Sequence, residues 1–155
     1  MRSILDRLLG AGATQLLVGN NVPFGLMPNY SQEDAASWTA KAADFRTRMN
    51  THLANLRASH PDVLIVDFDA YAFFEAIVAD PAEFGILNTI DGAFLPIAEP
   101  EDPDESAYWL WNDLVHPTSY AHSVIAEGVF ETIEAAMPVP DARSLQLAIT
   151  FGQGQ

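Results

Sequence analysis

Asp113 and His116 stand three positions apart in the segment Tyr108-Trp-Leu-Trp-Asn-Asp-Leu-Val-His-Pro-Thr118, which gathers aromatic groups, a carboxylate and an imidazole just ahead of a helical pattern. A tight turn over that spacing lets the carboxylate accept a hydrogen bond from one ring nitrogen while the other nitrogen points at a nucleophile. Such an arrangement fixes the tautomer and stabilises the imidazolium that forms during acyl transfer. The plainer reading is that Asp113 caps the turn and His116 packs or faces solvent, and the spacing alone does not choose between the two. Trp109 and Trp111, beside the pair, are candidates for a pocket wall, because ligand pockets are mostly apolar and aromatic. Asn20 and Asn21 follow a strand pattern. They are candidates for substrate contact, since ligands bind at the carboxyl ends of parallel strands, and Asn in that place also satisfies turn backbone.

The remaining histidines carry less. His52 and His60 lie on or just after a long helical pattern, and His122 lies one turn into the last one. No His/Asp/Glu spacing resembles a metal site, so neither a metal nor a cofactor is expected. Trp38 falls on an apolar helical stripe and reads as core.

The elements that must hold these residues alternate. Ile4, Leu5, Leu8 and Leu9 recur at helical spacing before Gly10 and Gly12, the mark of a glycine-capped helix end. Residues 15 to 19 form a short apolar run, read as a strand buried on both faces. From 33 to 60, Trp38, Ala42, Phe45, Met49, Leu53 and Leu56 step by three or four and predict a long one-sided helix. Residues 63 to 66 read as a second, central strand, and Tyr71, Phe74, Ile77 and Val78 as a helix that Pro81 ends. The chain then reads as loop to about Ser106. Pro117 is placed in the first turn of a final helix whose stripe runs from Tyr120 to Ile133. Helices alternating with strands indicate an α/β fold with parallel pairing, yet two strands make a poor free-standing sheet, so strands are expected to be missing on the N-terminal side.

Composition narrows the function. With 155 residues, 49% hydrophobic and 18% charged, the chain reads as one globular domain over residues 1–137, followed by a tail or linker at 138–155 that ends in an apolar piece, Leu145 to Phe151. Asp and Glu number 21 against 7 Lys and Arg, and the net charge of −14 repels nucleic acid and anionic membrane surfaces. The densest acidic patch, Glu99 to Glu105, is broken by prolines and reads as a solvated loop. There are no cysteines, hence no disulfides or thiolate ligands. The first ten residues are too short and too charged for a signal-peptide core, and no apolar run approaches the roughly 20 residues of a membrane span.

Taken together, several blocks resemble the GDSL-type (SGNH) lipases and esterases. Trp111-x-Asp113-x-x-His116-Pro-Thr118 followed by an amphipathic helix is similar to that family's last sequence block. Upstream, Gly10-Ala-Gly-Ala-Thr-Gln-Leu-Leu-Val-Gly-Asn-Asn-Val-Pro-Phe-Gly25 resembles its stretch of apolar strand and N-x-P-x-G. Phe45-Arg-Thr-Arg-Met-Asn-Thr-His-Leu53 resembles its N-x-x-L helix, residues 63 to 74 its strand and D-x-x-x-x-F passage, and Asp80-Pro-Ala-Glu-Phe-Gly85 its N-P-x-x-Y-G-F turn. The blocks keep the family's order over residues 8 to 136. The resemblance implies a flavodoxin-like three-layer α/β/α sandwich that hydrolyses small-molecule or lipid esters through Ser-His-Asp chemistry, with His116 as base and Asp113 as its orienting carboxylate. It also implies a departure. The family's nucleophile block and its oxyanion donors precede the matched region, no such block is found in residues 1 to 12, and no other serine sits in a comparable strand-to-helix turn. The chain alone is therefore expected to show little activity. Two alternatives are a non-catalytic interaction module, and one half of a split enzyme that pairs with its missing N-terminal half or another chain through an exposed sheet edge.

Overall fold

The computed structural model describes residues 2–93 and 103–137; the tail at 138–155, with its apolar piece, and most of the acidic loop lie outside the described residues. The chain opens with α1 (Arg2–Gly10). Its end is a glycine cap: the Gly12 N–H donates to the Leu9 carbonyl at 3.0 Å, the Ala13 N–H donates to Leu8 at 3.0 Å, and Gly12 sits at φ 94°. A side chain at that φ would press on its own carbonyl, so glycine ends this helix where the sequence places it.

Strands β1 (Gln15–Gly19) and β2 (Leu64–Phe68) pair in parallel, Gln15 opposite Leu64 through Gly19 opposite Phe68, and form the only sheet among the described residues. They are joined by α2 (Gln32–Ser59), which Ser31 caps by accepting the Asp34 N–H. The outer half of the apolar stripe behaves differently from the inner half. Twenty-eight residues span about 42 Å, whereas a five-residue strand spans about 17 Å, so only the C-terminal half of α2 overlies the sheet. There Met49, Leu53 and Leu56 close a core with Leu5, Val18 and Ile65. Each such fully buried aliphatic side chain is worth roughly 1.5–3 kcal/mol. The N-terminal half packs instead on a short 3-10 turn, Phe24–Leu26, where Gly25 permits the contact: a Cβ there would run into the Ala35 carbonyl oxygen. Trp38 is accordingly a half-buried residue between Tyr30 (centroids 5.2 Å apart) and Lys41 rather than core, and Phe45 is exposed.

The expectation that β1 is buried on both faces is corrected. Val18, facing α2, is 8% exposed, but Leu17 on the opposite face is 49% exposed. The cause is placement: α5 (Ser119–Ala136) lies over β2, and beside Leu17 the residues Ile133 and Met137 only border an open pocket. β2 is likewise not central here. It begins one residue later than read, because the Val63 N–H turns back to the His60 carbonyl, and it extends through Asp67 and Phe68. A charged residue is tolerated inside it because Arg57 of α2 reaches over to bind both Asp67 and the Ile65 carbonyl.

Beyond β2, Asp69 caps α3 (Ala70–Ala79) by accepting the Ala72 N–H, and Tyr71, Phe74 and Ile77 turn inward. A 3-10 turn at Pro81–Phe84 follows and closes at Gly85 with φ 65°. The stretch read as loop also contains a single helical turn, α4 (Pro103–Ser106). A second core forms from Phe74, Ile77, Ile86, Leu110, Trp111 and Ala121, and it is this core that carries the Asp113 loop. Pro117 is not in the first turn of α5: Thr118 is the cap, at φ −68° and ψ 168°, and Pro117 precedes it, bridged to Trp111. Proline's fixed φ suits this extended approach, and its missing N–H costs nothing there.

Candidate active site

Asp113 and His116 are brought together. The ring Nδ1 lies 2.9 Å from Asp113 Oδ2 and 3.1 Å from Oδ1, while Oδ1 also accepts the N–H groups of Val115 (2.9 Å) and His116 (2.8 Å). The turn-capping role and the pairing role weighed from the sequence are thus filled by one carboxylate. The Val115 and His116 N–H groups first, and the His116 ring next, hold the Asp113 carboxyl down to about 2. Ionised, it can only accept, so Nδ1 is the donor and, in the neutral ring, Nε2 carries the free lone pair. The His116 side chain is 73% exposed and Asp113 38%, which leaves the ring open to an incoming group.

The loop is pinned at several points. Asn112 N–H donates to the His116 carbonyl at 2.7 Å, and Thr118 N–H to Leu110 at 3.1 Å. The Thr118 hydroxyl donates to the Trp109 carbonyl at 2.6 Å and accepts the Ala121 N–H at 3.1 Å. Asn29 N–H donates to the Leu114 carbonyl at 3.1 Å, which ties the loop to the connection leaving β1. Short-range spacing puts Asp113 and His116 on one turn; these bonds fix where that turn sits, at the carboxyl end of the strands.

The other sequence candidates fall elsewhere. Trp111 is 1% exposed, stacks near Phe74 with centroids 5.8 Å apart and donates its indole N–H to the Thr89 carbonyl at 3.0 Å. It is a core residue rather than a pocket wall, because its one polar atom is satisfied inward. Trp109 is half-buried on the loop, with its carbonyl held by Thr118. Asn20 serves structure: its Nδ2 donates to Asp69 Oδ1 at 2.7 Å and its Oδ1 accepts the Tyr71 N–H at 3.0 Å, joining the ends of β1 and β2 to the start of α3. Asn21 donates to the Val22 carbonyl at 3.0 Å, and its Oδ1 is buried with no hydrogen-bond partner among the described residues.

Asn20 belongs to a cluster the sequence reading missed. Arg46 donates to Asp69 Oδ2 (Nε at 2.9 Å) and its guanidinium lies 5.1 Å from the Tyr71 ring centre. Burial pushes the Asp69 carboxyl up, but the hydrogen bonds from Asn20, Arg46 and the Ala72 N–H outweigh it and hold Asp69 below the ordinary carboxylate value; the Asp69 bond raises Arg46 in turn. The available signal was positional, Asn20 and Asp69 each standing directly after a strand. His52 and His60 are half-buried and His122 is exposed. Among the described residues, no group of three His, Cys, Asp or Glu side chains is placed to hold a metal, and no helix is long and apolar enough to cross a membrane.

Comparison with known proteins bears on this geometry. No family model matches the chain. Three GDSL esterases/lipases of Arabidopsis thaliana do: one is 26% identical over 140 residues (88% of this chain), another 29% identical over 116 residues (66%), and a third 25% identical over 142 residues (81%). The chain is a relative of the GDSL esterases/lipases. It spans 40%, 31% and 36% of the length of these three proteins, respectively. The parallel pair, with α2 on one face and α5 on the other, accordingly forms part of the three-layer α/β/α sandwich of the GDSL fold. The Gly-Asp-Ser triplet that names the GDSL enzymes occurs nowhere in the 155 residues.

Proposed function

We propose that this chain supplies the acid–base half of an ester hydrolase. The observation that supports it is the ring of His116, held through Nδ1 at 2.9 Å from an ionised Asp113 and open to solvent on its other side. In the reaction, His116 Nε2 takes the proton of a serine hydroxyl as its oxygen attacks the acyl carbon of an ester. The same proton then passes to the departing alkoxide, and water repeats the sequence to release the acid. Asp113 keeps the ring in the donating-Nδ1 tautomer and stabilises the imidazolium. The serine and the oxyanion donors come from sequence outside these 155 residues, and the substrate is a small-molecule or lipid ester. The two-stranded sheet favours its open edge, where no further strand pairs among the described residues, as the place where that other part docks.

The test is hydrolysis of p-nitrophenyl acetate and butyrate by the chain and by its His116→Ala variant, each with a fluorophosphonate probe for reactive serine. The expected result is equal background and no labelling for the chain alone, and His116-dependent hydrolysis once a polypeptide bearing the Gly-Asp-Ser block is added. Hydrolysis restored equally to the His116→Ala variant would show that His116 is not the base. Labelling of a serine within the chain alone would show that the nucleophile is already present.

A further inference from the structure

We infer that Gly92 is a positioning residue for the Asp113–His116 pair, and that the turn from Asn88 to Gly92 is the seat on which the pair rests. This builds on the dyad reading given above. Gly92 is buried, and its Cα lies against the main chain of Asp113: a Cβ at this position would stand 2.7 Å from the Asp113 carbonyl oxygen, 2.9 Å from its carbonyl carbon and 3.1 Å from its Cα. Those atoms are backbone, so they cannot swing aside as the tip of a flexible side chain would. Gly92 does not have a positive φ, so the demand for glycine here comes from close approach and not from conformation.

The seat is built from several bonds. Asn88 Oδ1 accepts the N–H groups of Ile90 (2.8 Å) and Asp91 (3.0 Å), and Asn88 Nδ2 donates to Asp91 at 3.0 Å, which closes the turn. The turn grips the strip ahead of Asp113: Leu110 N–H donates to the Asn88 carbonyl at 2.8 Å, the Trp111 indole to Thr89 at 3.0 Å, and Ala93 N–H to the Trp111 carbonyl at 3.0 Å. The main chain of His116 is held by Asn112 at 2.7 Å, by the bridge between Trp111 and Pro117, and by Asp113 Oδ1, which accepts its N–H at 2.8 Å. A methyl group at residue 92 therefore presses on the Asp113 main chain and strains the turn that sets the Asp113–His116 contact.

The state of the His116 ring reports this directly, without any activity. In mildly alkaline solution, long-range ¹H–¹⁵N spectra distinguish an imidazole protonated on Nδ1 from one protonated on Nε2, the form an unpartnered neutral ring prefers. The four histidine signals are assigned by loss of one in His116→Ala. The chain is expected to show His116 mainly as the Nδ1–H tautomer and Asp113→Ala to show it mainly as Nε2–H. Gly92→Ala is expected to follow Asp113→Ala, while circular dichroism stays that of the folded chain. Asn88→Ala, which keeps Gly92 but unties its turn, shifts the tautomer in the same direction and decides the matter should Gly92→Ala fail to fold. A tautomer that changes in Asp113→Ala but in neither seat variant overturns the positioning role and leaves the dyad standing. A tautomer unchanged in Asp113→Ala overturns the dyad itself, and the role of Gly92 with it.

Discussion

Replacing Thr118 by valine removes one oxygen from the junction between the Asp113 loop and α5 while keeping the shape of the side chain. Thr118 is 4% exposed, and its hydroxyl both donates to the Trp109 carbonyl at 2.6 Å and accepts the Ala121 N–H at 3.1 Å. Losing the helix cap costs about 1 kcal/mol. Leaving the carbonyl of the half-buried Trp109 without its donor costs about 1–3 kcal/mol more. The total is about 2–4 kcal/mol. Thr118→Ser is the control: it keeps the hydroxyl and gives up one methyl group, about 1 kcal/mol. Urea unfolding followed by far-ultraviolet circular dichroism measures the difference. With a slope of about 2 kcal/mol per molar urea, the valine variant should unfold at a urea concentration lower by roughly 1–2 M, and the serine variant by about 0.5 M. A valine variant as stable as the serine variant, or more so, would refute the claim that this hydroxyl, and not the volume around it, joins the loop to the helix.

Acid should weaken the fold in a definite window. Asp69 and Asp113 are both held below the ordinary carboxylate value of 3.8, Asp113 at about 2, so their stabilising effect is complete above the unfolded value and is lost as pH falls through the folded ones. The urea midpoint should fall below about pH 4, and Asp69→Asn should make that fall shallower; an unchanged slope would show that the Asn20–Asp69–Arg46 cluster adds no acid sensitivity. Gly85→Ala forces a methyl group into φ 65° and to within 2.3 Å of the Tyr120 hydroxyl, so it should destabilise by about 1–3 kcal/mol. Because the hydroxyl is what the methyl meets, the penalty should shrink in a Tyr120→Phe background, which a double-mutant cycle reads; strict additivity would count against the contact.

What the sequence determined by itself was much of what depends on near neighbours. Apolar spacing marked α2, α3 and α5, since a helix face repeats every three to four residues whatever it packs against. Gly12 marked the end of α1 because its backbone angle suits only glycine. Asp113 and His116 could be paired from their spacing because a single turn brings them together. Tertiary structure decided the rest. Leu16 and Leu17 are alike as residues, yet Leu16 meets the α2 core and Leu17 is left half exposed on the other face, and only the arrangement of helices over the sheet separates them. Trp109 and Trp111 looked equivalent until the second core took Trp111. Asn20, Arg46 and Asp69 lie 23 to 49 positions apart in the chain, and Gly92 meets Asp113 across a stretch with no local pattern. Such contacts arise from packing between distant segments, and spacing along the chain carries no signal of them.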